Sequence, residues 1–117
     1  MEAPRIKTAI PKRRYQVGTF SAIVLGEVES ADAASYRYVL AMVEEGKSAP
    51  SLYVTAERSS PNEASNGAYR LRLMGLTGTE VLGHSDRWQD LDSFLSDAFT
   101  IAVSRLGLTD EQVVRLM

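Results

Sequence analysis

Through most of this sequence apolar residues alternate with polar ones. After Trp88 they recur instead at helical spacing. That change of period, from two to 3.6, restricts the fold more than any other feature. In the stretch 90–107, DLDSFLSDAFTIAVSRLG, Leu91, Phe94, Leu95, Ala98, Ala102 and Leu106 fall at i, i+3, i+4 and i+7 spacings, and Phe99 and Val103 widen the stripe. Asp90 stands where an N-cap belongs, and Gly107 follows as a stop. Upstream, four runs read as strands: 14–28, 36–45, 52–58 and 68–75. The first is long, with a bulge or bend expected at Gly18 or Gly26. Residues 80–83 add a fifth, paired back on the fourth through a short turn at 76–79.

The connections are short, so no helical crossover fits between strands and the neighbours must be antiparallel. The sequence therefore predicts an α+β fold: an antiparallel meander of four to five strands followed by a C-terminal helix packed on one face. Thr109 and Gln112 fit a capping box, which predicts a short terminal helix carrying Val113, Val114 and Leu116.

The chain has 117 residues, enough for a single domain. It lacks cysteine and carries one histidine, His84. Thiolate chemistry is thus excluded, and a histidine-based metal site or triad has almost nothing to draw on. No apolar run reaches the roughly 20 residues a membrane helix needs. The opening MEAPRIKTAIPKRR has no apolar core before a cleavage site. These features predict a soluble cytoplasmic domain with no cofactor and no metal.

The formal charge of −2 is unevenly placed. Over the first 14 residues Arg5, Lys7, Lys12, Arg13 and Arg14 face only Glu2, so the remainder is strongly acidic. Pro4 and Pro11 favour an extended conformation there. The sequence thus divides into a basic extended arm, 1–13, and a single α+β domain, 14–117.

Alternation assigns faces to the strands. Tyr69, Leu71 and Leu73 share one face of the fourth run, and Arg70, Arg72 and Met74 share the other. The second run places Val39, Ala41 and Val43 opposite Tyr36, Tyr38, Leu40 and Met42. The first places Tyr15, Val17, Ile23 and Leu25 opposite Phe20, Ala22, Val24 and Val28. One helix cannot cover both apolar faces, so either the sheet curls on itself or a second copy covers it.

Several residues carry candidate chemistry. Lys12, Arg13, Arg14, Arg37, Tyr53, Arg70 and Arg72, with Tyr36 and Tyr38, combine cations and rings as single-stranded nucleic-acid sites do. The competing reading pairs Arg70 and Arg72 across the sheet with Glu57 or Glu44. In layout alone, with no motif behind it, a four-stranded meander followed by a helix resembles the domain of single-stranded-DNA-binding transcriptional regulators. His84, Ser85 and Asp86 are adjacent in sequence, so their side chains are not expected to converge as a triad. Trp88 is expected in the core, its N–H bonded to a carbonyl. Asp90, Asp92 and Asp97 read as charges near a helix start.

No set reaches the standard of a catalytic site. The sequence points to a non-enzymatic, homodimeric interaction or regulatory module acting on a protein partner. A single-stranded nucleic-acid-binding or transcription-regulatory protein is the alternative.

Overall fold

The computed structural model describes residues 3–75 and 78–117. In chain order its elements are β1 (Ile6–Val17), β2 (Phe20–Ser30), β3 (Tyr36–Glu44), β4 (Leu52–Arg58), β5 (Tyr69–Gly75), β6 (Gly78–Ser85), α1 (Leu91–Arg105) and β7 (Val113–Arg115). The strands form one sheet in the order β6-β5-β4-β3-β2-β1-β7. All its ladders are antiparallel. The α+β class holds, but the expected count of four to five strands is too low: the described residues form seven.

Three differences separate the fold from the expectation, and two of them add a strand each. The long first strand is two strands, because Val17 pairs with Phe20 across a two-residue turn at Gly18 and Thr19. Gly18 supplies the positive φ, 56°, that such a tight turn demands. Next, residues 6–13, read as the larger part of a basic arm, pair with β2 as the first positions of β1. Pro11 is tolerated there because β1 lies near the sheet's edge. Finally, the expected terminal helix is absent: residues 113–115 are strand β7, paired with Tyr15–Val17. Two adjacent β-branched valines beside an open edge favour the ladder over one isolated helical turn. Of the turn expected at 76–79, Leu76 and Thr77 lie outside the described residues.

The helix forms where the period-3.6 pattern predicts it. The Asp90 carboxylate accepts from the Ser93 amide at 3.0 Å and caps the first turn. Gly107, at φ 68°, ends the last one. Phe94, Ala98 and Ala102 are fully buried against Tyr38, Leu40, Val54, Ala56 and Leu71. The Phe94 and Tyr38 rings lie 5.4 Å apart. Burying a side chain of that size contributes about 2 kcal/mol. Trp88 closes this core, and its indole N–H donates to the Asp97 carboxylate at 2.8 Å rather than to a carbonyl.

Faces shift where the backbone is irregular. The turn at Gly18 resets the alternation, so Tyr15 and Val17 join Phe20, Ala22 and Val24 under the helix, leaving Ile23 and Leu25 on the far face. A register shift at Arg37 likewise moves Tyr36 to the far face, away from Tyr38.

The far face is shielded by curling. Tyr36, Val39 and Met74 are buried there, with Ile6, Leu25, Val28, Ala34 and Tyr53 packed around them. Three register shifts in the first half of β1 and a left-handed Glu27, φ 46°, in β2 bend this hairpin. As a result the residues just before β1 line the same cleft as β5, although three strands lie between them. In a flat sheet that separation would be about 19 Å.

Candidate functional site

Cross-strand register organises the far face into three rows. One runs Thr79–Met74–Tyr53–Ala41–Ile23–Arg14, and the next Val81–Arg72–Thr55–Val39–Leu25–Pro11. The third is His84–Arg70–Glu57–Tyr36. Curling turns Arg72 of the second row and Arg70, Glu57 and Tyr36 of the third into the floor of a cleft of about 650 Å³, whose wall is the 32–35 connection and the segment before β1.

Glu57 is the centre of this floor. It is 1 % exposed, and its Oε1 accepts from Arg70 Nε at 2.8 Å as well as from Arg70 Nη2. Its Oε2 accepts from Arg72 Nη2 at 2.8 Å. A carboxylate this deeply buried is tolerable only with such charge-assisted partners. The cross-sheet pairing open in the sequence is therefore made to Glu57. Glu44 lies opposite Phe20, at the far end of β3.

Beside this cluster the Asp32 carboxylate accepts from the Tyr36 hydroxyl at 2.8 Å and from the amides of Arg5 and Ala34. Burial pushes the Asp32 carboxyl up, but those hydrogen bonds and the nearby Arg72 charge outweigh it. The net effect holds Asp32 below the usual carboxylate range. Burial, followed by the bond to Asp32, drives the Tyr36 hydroxyl well above its ordinary value, so it stays a donor. Burial alone raises Tyr53. At the outer side, Glu63 is held below its usual range by the Ser60 hydroxyl first, with Arg70 and His84 adding to it.

Among the described residues two buried polar side-chain atoms lack a partner, Arg72 Nε and Thr55 Oγ1. They belong to one ladder pair in the second row.

The structure does not gather on one face the seven residues read as a nucleic-acid surface. Arg70 and Arg72 spend donors on Glu57. Tyr53 packs into the far-face cluster beside them. Arg37 turns the other way: its Nε donates to the Gln89 carbonyl and its guanidinium sits 5.1 Å from the Tyr38 ring centre. Lys12 is paired with Glu27 at 2.7 Å, and Arg13 donates to the Lys12 carbonyl. Arg14, exposed, shares Tyr53's row, with two strands between them.

His84 also stands apart from its sequence neighbours. Its Nε2 lies 3.1 Å from Glu63, whereas Ser85 accepts from the Arg87 amide and Asp86 from the Ala68 amide.

Sequence reasoning missed Asp32, Arg58 and Arg5 as cleft residues. Asp32 lies in a connection, Arg58 ends its strand and Arg5 precedes one, and no periodic pattern marks such positions. Glu57 was legible through its parity, which places it on the face of Tyr53 and Thr55.

The sheet ends in two unlike edges. Outside β7's short cover, β1 presents Pro11 and the charges of Lys7, Lys12, Arg13 and Arg14. β6 has no outer neighbour among the described residues; it contains no proline, lysine or arginine, and Val81 on it is 48 % exposed. Its single acid, Glu80, is tied to Arg105 at 3.0 Å.

No protein-family model, curated protein or solved structure matches this chain. Among the described residues, no helix is long and apolar enough to cross a membrane.

Proposed function

We propose that the protein is a non-enzymatic interaction module that works as a homodimer, joined by antiparallel pairing of β6 with its copy. The observation that carries this reading is the contrast between the sheet's two edges. Open strands attract other strands, and proteins guard them with proline, with lysine or arginine, or with a covering segment. β1 has all three guards, whereas β6 has none of them. Two copies of β6 meet with little charge between them, because Glu80 is compensated within its own chain. Pairing two copies of β1 would instead bring lysines and arginines together, which is unfavourable for residues directly opposite one another. A two-fold β6 junction is self-complementary and makes one continuous sheet. Both far-face clefts would then lie open in the dimer, available to a partner.

Sedimentation velocity over a hundredfold range of concentration tests this reading. A concentration-dependent dimer is expected. Val81→Lys should weaken it at least tenfold, while Ile10→Lys, at a similarly exposed position on β1, should leave it unchanged. A monomer at every concentration, or a dimer indifferent to Val81→Lys, overturns the proposal.

A further inference from the structure

We infer that the far-face cleft is a binding site for a small, doubly charged oxyanion. The cleft's lining brings together four guanidiniums, of Arg5, Arg58, Arg70 and Arg72, against two carboxylates, of Asp32 and Glu57. Both carboxylates are already engaged. Glu57 is shared by Arg70 and Arg72, and Asp32 is saturated by the Tyr36 hydroxyl and two backbone amides. The lining therefore carries two positive charges in excess inside a concavity, where the local field is focused. Of the four guanidiniums Glu63 reaches Arg70, from 3.5 Å, and it lies outside the lining.

The donors are disposed for an oxyanion as well. Arg72, which lines the cleft, spends Nη2 on Glu57 and leaves its buried Nε–H without a partner among the described residues. Buried polar atoms without partners are rare, and the Arg72 Nε–H marks a place where an acceptor is missing. The Arg58 side chain, exposed at the rim, makes no hydrogen bond or ion pair among the described residues. Guanidinium groups recognise the paired oxygens of carboxylates and phosphates through a planar fork of donors. The cleft's volume suits a small molecule. Met74 and Tyr36 offer apolar surface to the ligand's body. A dicarboxylate and a phosphate share the required charge and geometry.

Amide and arginine side-chain NMR spectra, recorded while titrating succinate, inorganic phosphate or chloride at constant ionic strength, test the inference. Saturable shifts are expected at Tyr36, Arg58 and the Arg72 Nε–H with succinate, phosphate or both, and none with chloride. A response to succinate alone identifies a carboxylate ligand, and a response to phosphate alone identifies a phosphate. Arg58→Ala should weaken binding at least tenfold while leaving the melting temperature unchanged. Absence of saturable shifts with both oxyanions overturns the inference, as does binding that Arg58→Ala leaves intact. Each cleft is lined by residues of one chain, so the outcome does not depend on dimerisation.

Discussion

The indole N–H of Trp88 donates to the carboxylate of Asp97 at 2.8 Å, fastening the turn that follows β6 to the body of α1. Asp97 also holds Arg87 at 3.2 Å, so one carboxylate fixes both sides of the junction between sheet and helix.

Replacing that carboxylate, in Asp97→Ala, strands a buried donor. The expected cost is about 1–3 kcal/mol in urea unfolding. Trp88 is the single tryptophan, so its fluorescence reports on this junction alone. Its emission should move to longer wavelength as water reaches the ring, and an unchanged spectrum would show that the bond does not order the indole.

Glu57→Gln should be more damaging. It removes the negative charge between two guanidiniums whose donors have no other acidic partner of comparable burial. Breaking a buried pair this way costs about 3–5 kcal/mol. Because Arg70 and Arg72 keep some contact with solvent, about 3 kcal/mol is expected. Chemical denaturation with and without the substitution measures it. A loss under 1 kcal/mol would mean that water replaces the carboxylate.

The helix, its caps, strands β4 and β5 and β3 from Tyr38 onward were legible because each carries an unbroken period and local chemistry that agrees with it. Parity also placed Arg70, Arg72 and Met74 correctly and offered Glu57 as their partner. What could not be read depends on neighbours distant in sequence. Pro11 and the charges of residues 5–14 describe a tail as well as they describe a guarded strand, and only pairing with β2 decides between them. Val113 and Val114 are strand residues only because the edge at Tyr15–Val17 is open to them. The cleft was hidden for a related reason: it exists because bulges in β1 and β2 bend the sheet until Arg5 reaches the wall opposite β5.

Gly67 cannot be replaced without moving backbone. Its φ is 149°, and a Cβ there would stand 2.4 Å from the Ser85 nitrogen. Its carbonyl meanwhile accepts from the Ser59 hydroxyl at 2.7 Å. Gly67→Ala should therefore cost more than about 1 kcal/mol. Melting curves should show it, with amide shifts at His84 and Ser85. Gly46→Ala, with open space around it but a similarly disfavoured φ, separates the steric part from the conformational one.

The Asp32 carboxyl gives the fold an acid limb of defined sign. Its folded value lies below the ordinary one of about 3.9 in an unfolded chain, so the unfolded state binds protons more readily. Its contribution to stability is complete above about pH 5 and is lost as pH falls through the lower, folded value. Urea midpoints of the wild type and Asp32→Asn should therefore converge as pH falls from about 5 to about 2. Parallel curves across that range would show that Asp32 titrates alike in both states.

Every ladder but one joins strands that follow each other along the chain; the exception joins β1 to β7. The sheet can thus zip from hairpin to hairpin, each closure spanning a short loop, whereas β7 must find a strand from the far end of the sequence. Long loops close late, because their entropy must be offset before the contact exists. The β1–β7 ladder is therefore the last to lock and, being only three pairs long, the first to reopen. In folding kinetics this seam marks the boundary between a nearly finished sheet and the native one.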